Sequence, residues 1–225
     1  MNLAIIPARS GSTRLKNKNI LSFNGKPMIA WTIEAAKKSK IFDYIYVSTD
    51  SKKIASIAIK YGAKVPFLRD KKLSDNFTSV HEVTYDAVIK LEKKINKSFK
   101  NVFQLMPNCP LRNDVDIKNF YKYFTNNKIK FLVSCTKFHF GNPWWAFYQN
   151  KKNIKRLFPK LYKKRSQDLH ETFTPTGAIW IAKKNNFLKT KSFYSTGFEF
   201  KELSWKSAID IDTKEDFMIA KSIII

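Results

Sequence analysis

The sequence has few cysteines: Cys109 and Cys135 are the only two among 225 residues. Two cysteines provide neither a disulfide framework nor a four-ligand zinc site. Long apolar runs are also missing, since none approaches the roughly 18 residues that a membrane-spanning helix needs. The first residues carry neither the positive charge nor the cleavage site of a secretory signal. We therefore expect a cytoplasmic protein without a membrane span.

Acidic residues are scarce, with 18 Asp and Glu against 42 Lys and Arg, and the net charge is +24. No carboxylate occurs between Asp116 and Asp168, a stretch with 11 lysines and 2 arginines. A basic surface can attract nucleic acid, anionic lipid or small anionic substrates. The lysines are spread around the chain and form no helical stripe, so we favour a compositional bias and expect no nucleic-acid partner. The alternative is a basic binding module centred on residues 151–165.

The pattern of apolar residues predicts an α/β fold. Short β-rich runs alternate with helical spacing, and such alternation is typical of a mostly parallel sheet covered by helices on both faces. The predicted strands are residues 3–6, 44–49, 65–68, 102–106, 131–136, 178–181, 198–200 and 208–211. The predicted helices are residues 28–40, a helix from 51 to Gly62, residues 80–91 and 114–126, and a last helix from Lys214 capped by Thr213 or Asp212. The alternation of strand and helix patterns ends after Lys137. We therefore predict one domain, 1–225, with an inserted arm at about 138–174.

The loop after the first strand is rich in cations. Arg9, Arg14, Lys16 and Lys18 surround Gly11, and no carboxylate accompanies them. Such a loop lies at the carboxyl edge of a parallel sheet, where α/β proteins bind ligands, and small residues let backbone N–H groups approach an anion. The pattern matches neither the P-loop nor the GxGxxG motif. It predicts a phosphate-binding loop, whereas the alternative is an exposed basic loop.

Two carboxylates stand near the end of the chain, in the sequence Ile209-Asp210-Ile211-Asp212. Alternation in an extended chain places Asp210 and Asp212 on one face. Adjacent carboxylates repel unless a cation bridges them, and Mg²⁺ prefers a few carboxylates together with phosphate oxygens. Alternatively, Asp212 caps the last helix and Asp210 is solvated. Together, loop and carboxylates predict a crevice in which a nucleoside triphosphate and its metal are held between opposite charges.

Several motifs occur in an order that resembles the acylneuraminate cytidylyltransferases (CMP-sialic acid synthetases), over nearly the whole chain. They are IPARxGS at 6–12, KN at 18–19, VSTD at 47–50, PxxPLR at 107–112, QDL at 167–169, GAI at 177–179 and DIDT at 210–213. The resemblance implies a nucleotide-diphospho-sugar transferase fold and transfer of CMP from CTP to a nine-carbon keto-sugar acid, with release of pyrophosphate. It also implies Mg²⁺ dependence and a homodimer built partly by the arm.

The resemblance also implies roles for individual residues. Arg9 and Lys18 hold the triphosphate with Gly11, Ser12 and Arg14, and act in catalysis together with Asp212. The residues implied for the cytidine pocket are Asn19, Arg69, Thr78 and Ser79. Those implied for the metal are Asp210 and Asp212, and those for the sugar are Gln104, Arg165, Trp180, Phe193 and Tyr194. For Phe193 and Tyr194, core packing is an equal alternative.

The sequence departs from the family pattern mainly on the sugar side, at Met106, Trp145, Ser166 and Thr176. The sequence Ser-Thr-Arg-Leu at 12–15 instead resembles the corresponding loop of the KDO cytidylyltransferases. The sugar acid is therefore expected to be of the sialic, legionaminic or pseudaminic type, with KDO as the alternative. No general base is evident, and His81, His139 and His170 are candidates by residue type only.

Overall fold

The computed structural model describes residues 1–138 and 141–223, so His139 lies outside the described residues. The strands are β1 (Asn2–Pro7), β2 (Ser22–Phe23), β3 (Lys26–Pro27), β4 (Tyr44–Ser48), β5 (Asn101–Gln104), β6 (Phe131–Lys137), β7 (Phe147–Asn150), β8 (Asn153–Arg156), β9 (Phe173–Lys183) and β10 (Phe198–Glu202). The helices are α1 (Met28–Ser39), α2 (Lys52–Lys60), α3 (Val80–Ile95), α4 (Asp114–Asn126), α5 (Lys184–Thr190) and α6 (Lys214–Ser222). None of these helices combines the length and the hydropathy that crossing a bilayer requires.

Six strands form the central sheet, in the order β10-β6-β9-β5-β1-β4. All neighbouring pairs are parallel except those of β9, which is antiparallel to both β5 and β6. One face packs on α1, α2 and α4, and the other on α3 and α5. The prediction of a mostly parallel sheet covered on both faces is confirmed.

Local signals set the helix ends. Ser51 caps α2 by accepting a hydrogen bond from the backbone N–H of Ile54, and Gly62 follows the helix with φ +95°. Helix α4 has the predicted bounds and begins with a capping box between Asn113 and Asp116. Thr213, one of the two predicted caps, begins α6.

Two predicted strands are wrong. Residues 65–68 form no strand: Lys64 makes an isolated bridge to Tyr46, and Pro66 has no N–H to extend the pairing. Residues 208–211 follow a turn, and the N–H of Ile211 donates to the carbonyl of Asn108 instead of joining a ladder. Pro66 therefore explains the first error, and the lack of a partner strand explains the second.

The segment between β6 and β9 contains the hairpin of β7 and β8, which is exposed throughout. Within its basic run, the Arg156 guanidinium lies 3.5 Å from the centre of the Tyr162 ring, so one face of this aromatic is covered.

Candidate active site

The two ends of the chain meet at the carboxyl edge of the sheet. The cationic loop follows β1, and both Lys18 and Arg14 contact the carboxylate of Asp212, immediately before α6. Loop and carboxylate thus border one cavity. It is lined by Pro7, Arg9, Ser12, Thr13, Arg14, Leu15, Lys18, Asn19, Met106, Pro107, Asn108 and Asp212. The crevice between opposite charges that the sequence predicts is present.

Asp50, at the end of β4, fixes the shape of the cationic loop. Its carboxylate accepts hydrogen bonds from the backbone N–H of Ser10 at 2.9 Å and from the Ser10 hydroxyl at 2.6 Å. Burial alone would raise the pKa of Asp50, but these hydrogen bonds and the nearby Arg69 guanidinium outweigh it and lower the pKa. The sequence analysis quoted Asp50 in a motif but gave it no role; its signal was a carboxylate directly after the second predicted strand, at the sheet edge where the loop also lies.

A second cavity adjoins the first through Pro7, Arg9 and Met106. Its other lining residues are Arg69, Leu73, Asp75, Asn76, Thr78, Val80 and Val83. Arg69 is 6% exposed, and its Nε and Nη2 atoms have no hydrogen-bond partner in the described part of the chain. Arg9 donates to the backbone carbonyl of Asp75 and so connects the two cavities.

The four residues implied for the cytidine pocket separate in the structure. Arg69 and Thr78 line the second cavity, whereas Asn19 lines the first, where its amide donates to the carbonyl of Arg9 at 2.9 Å. The Ser79 hydroxyl instead accepts from the N–H of Glu82 as the N-cap of α3. Asn19 and Arg69 thus line adjoining cavities that share Pro7, Arg9 and Met106, and the role of the four residues in binding cytidine stays a prediction.

Asp210 and Asp212 lie on one side of their extended segment, as predicted, and Asn108 lies between them. The Asn108 amide nitrogen donates to both carboxylates, at 3.2 Å for Asp212. Burial in the cleft and, next, the charge of Asp212 raise the pKa of Asp210 to about 6, although solvent still reaches its side chain. Asp212 is not the helix cap, since Thr213 takes that position.

This cluster suits a hard cation. Carboxylate oxygens are ligands that Mg²⁺ takes, and Asp210 and Asp212 present theirs on one side of the chain, with the amide nitrogen of Asn108 between them. After burial, the charge of Asp212 is the next cause of the raised pKa of Asp210, and a divalent cation offsets this repulsion between the carboxylates. Asn108 is a residue that the sequence analysis did not assign, although it lies inside the PxxPLR motif.

Gln104 and Trp180 are two predicted sugar residues that the sheet brings together. They are directly opposite in the ladder of β5 and β9, so their side chains share one face. Gln104 is fully buried and accepts a hydrogen bond from the Thr84 hydroxyl at 2.7 Å, while its amide nitrogen is 4.0 Å from the sulfur of Met106. Met106 borders both cavities, so Gln104 lies directly behind their shared wall.

The other three sugar candidates differ in position. Tyr194 is 38% exposed and meets the Trp180 ring edge-on at 5.4 Å. Phe193 is wrong as a wall residue, because it is 0% exposed and packs on Phe187 at 4.6 Å in the core. Arg165 is exposed on the arm and pairs with Asp168, and the described contacts do not bring it to the other candidates.

Comparisons with known proteins show the family of the chain. Residues 3–221 match the family described as cytidylyltransferase. A pseudaminic acid cytidylyltransferase of Campylobacter jejuni is 39% identical over 221 residues, which cover 98% of this chain and 94% of that protein. A CMP-N,N'-diacetyllegionaminic acid synthase of Legionella pneumophila is 34% identical, covering 99% and 95%.

Among solved structures, a CMP:2-keto-3-deoxy-manno-octonic acid synthetase complexed with CTP is similar, with a TM-score of 0.72. The two chains are 15% identical, and the match covers 99% of this chain and 98% of the other. At this identity the likeness concerns the fold alone.

Proposed function

Since the chain belongs to the cytidylyltransferase family, within the acylneuraminate cytidylyltransferase group that its motifs resemble, we propose a CMP transfer reaction. In this reaction CMP is transferred from CTP to the anomeric hydroxyl of a nonulosonic acid. The observation that carries the proposal is the crevice in which Arg14 and Lys18 face Asp212. A polyanion with a bound cation is complementary to such a pair of opposite charges.

Among nonulosonic acids we propose the pseudaminic type. The relative with 39% identity carries pseudaminic acid in its name, and the one with 34% identity carries legionaminic acid. Legionaminic acid is therefore the nearest competitor within the same reaction.

The cationic loop holds the triphosphate. Arg9, Arg14 and Lys18 converge on one cavity, and their charges offset those of the phosphates. Attack of the anomeric oxygen on the α-phosphorus, in line with the leaving pyrophosphate, then needs mainly positioning and neutralisation of charge. Because Arg14 and Lys18 contact Asp212, binding of CTP would exchange this carboxylate for phosphate oxygens.

Asp210 and Asp212 are the residues that would hold Mg²⁺. The ion would supply a positive charge that polarises the phosphate oxygens and stabilises the charge that develops on them. Asn108 orients both carboxylates through its amide group, which keeps them on the same side of the chain.

We also propose that two copies of the chain form a dimer through the arm. An apolar groove lies between the arm and the edge of the sheet, and its aromatic lining includes Phe138, Trp144, Phe158, Phe173 and Phe200. Strand β10 is an edge strand with Phe198 and Phe200 more than one third exposed. An exposed apolar surface of this kind is typical of an interface. Light scattering after gel filtration tests it, with Phe200→Glu expected to give a monomer.

Pyrophosphate release tests the proposed activity. The protein is incubated with Mg²⁺, one of the four nucleoside triphosphates, and one of a panel of pseudaminic, legionaminic, N-acetylneuraminic and 2-keto-3-deoxy-manno-octonic acids. We expect release with CTP and pseudaminic acid and little with ATP, GTP or UTP. Preference for the octonic acid would overturn the sugar class, and release with none of the sugars would overturn the function.

A further inference from the structure

His81 lies at the centre of an aromatic cluster beside the candidate sugar residues. Its ring stacks on Trp180 with a centroid distance of 5.2 Å and an interplanar angle of 16°. The Tyr194 ring meets it edge-on at 5.7 Å, and the Phe193 ring lies at 5.8 Å. The sequence analysis considered His81 only as a proton acceptor, and these contacts place it in a different setting.

The position of His81 is set by helix α3. Thr84 is one turn farther along the helix and donates to Gln104, which is opposite Trp180 in the sheet. His81 and Thr84 therefore contact adjacent residues of the same sheet face. Through Gln104 and Met106 this surface continues to the wall that the two cavities share.

The hydrogen bonding of His81 fixes its chemical form. The backbone N–H of Phe193 donates to Nδ1 at 3.4 Å, so Nδ1 is an acceptor and the proton of the neutral ring is on Nε2. Burial lowers the pKa of His81, which also favours the neutral ring. Nε2 makes no hydrogen bond to residues 1–138 or 141–223, and the residue is partly exposed.

An uncharged N–H donor framed by aromatic rings suits one kind of substituent. A carboxylate is better matched by a cation, and a hydroxyl offers no apolar part for the rings. An acylamino group has both a carbonyl acceptor and a methyl group, and the names of the legionaminic and neuraminate relatives contain acyl groups.

We propose that His81 is a specificity-determining residue, whose Nε2–H donates to the carbonyl oxygen of an acylamino group of the sugar acid while Trp180 and Tyr194 contact its methyl group. The inference rests on the proposed function. It distinguishes acylamino sugars from 2-keto-3-deoxy acids with hydroxyl groups only, because a site that provides a hydrogen bond discriminates against a ligand that cannot use it.

The test combines changes in His81 with a change in the sugar. His81→Phe keeps a ring and removes the donor, whereas His81→Gln places an amide donor near the position of Nε2. Tyr85→Phe, one turn along α3 with Lys191 over its ring, is the matched control. Each variant is assayed for kcat and KM with CTP and with two nonulosonic acids, one bearing acylamino groups and one bearing hydroxyls in their place. Where turnover is too slow, the sugar is measured as a competitive inhibitor.

We expect His81→Phe to lower kcat/KM for the acylamino sugar roughly 5- to 20-fold, mainly through KM, and to leave the KM for CTP and the hydroxyl sugar within about twofold. His81→Gln should restore most of the preference, and Tyr85→Phe should behave as wild type. Equal losses for both sugars in His81→Phe would show a structural role and overturn the proposal. A wild-type protein without cytidylyltransferase activity would overturn the proposed function first, a result that these ratios distinguish.

Discussion

Lys18 and Asp212 lie 194 positions apart in the sequence, yet the ammonium of the first contacts the carboxylate of the second inside one crevice. Both side chains are mostly shielded, with 15% and 28% exposed. This pair, joined by Arg14, neutralises the side-chain charges with which the protein would bind the triphosphate and Mg²⁺. Nucleotide and cation therefore compete with an existing ion pair, and removing one partner changes the binding of the other.

Asp212→Asn should separate binding from turnover. The variant loses the carboxylate that opposes Lys18 and Arg14, so we expect CTP to bind at least as tightly as to wild type when EDTA is present. The rate of CMP-sugar formation with Mg²⁺ should fall about 100-fold or more, because a charge that acts on the reacting phosphate is lost. Calorimetry and pyrophosphate release measure the two effects, and near-normal turnover with Mg²⁺ would contradict the role of Asp212.

Arg9→Ala should weaken CTP binding roughly 10- to 100-fold, as expected for the loss of a hydrogen bond between charged groups. The affinity for the sugar acid should change little, because Arg9 borders the two cavities of the nucleotide side. Lys16→Ala is the matched control: it removes a cation of the same loop that lines neither cavity. Equal effects of the two substitutions would indicate that the loop acts only through its net charge.

Asp50→Ala should loosen the loop without touching a substrate. The variant loses two hydrogen bonds to Ser10 and leaves the buried Arg69 without its carboxylate neighbour at 4.0 Å, so we expect a loss of about 1–3 kcal/mol in the free energy of unfolding and weaker CTP binding. Asp70→Ala, which removes an exposed partner of Lys90, should leave the free energy of unfolding nearly unchanged, because solvent screens an exposed ion pair. Urea titration gives both values, and matching losses would refute the supporting role of Asp50.

Local sequence signals predicted the helices better than the strands. Asn113 and Asp116 define the start of α4 by hydrogen bonds within four residues, so the bounds can be read from the chain. A strand needs a partner, and residues 208–211 have apolar alternation but pair with no strand. Alternation nevertheless placed Asp210 and Asp212 correctly on one side, since side-chain direction depends only on extended backbone.

The candidate site was predictable where charge marks it and not where packing decides. Charge alone indicated that the loop and Asp212 belong together. Asn108 is a single amide in a loop, and its position between two carboxylates depends on how β5 and the segment before α6 meet. Aromatic residues give no such signal: Tyr194 is partly exposed and its neighbour Phe193 is entirely buried, although both are aromatic and adjacent.

Asp210→Asn should make the metal-free protein slightly more stable. The pKa of Asp210 is raised to about 6 in the folded protein from an ordinary value of 3.8, so the folded state holds this proton more tightly than the unfolded chain does. The stability of the wild type therefore falls as the pH rises from about 4 to 6, and the deficit persists at higher pH. One pK unit corresponds to about 1.4 kcal/mol, but solvent reaches the side chain. We therefore expect a gain of about 1 kcal/mol or less in the free energy of unfolding for Asp210→Asn at pH 7.5 and almost none at pH 4.

Thermal unfolding in EDTA measures the difference, and added Mg²⁺ should stabilise the wild type more than the variant, because the wild type alone keeps both carboxylates. A variant that is less stable than wild type at pH 7.5 and equally responsive to Mg²⁺ would show that the two carboxylates are not held in mutual repulsion and do not form the cation site.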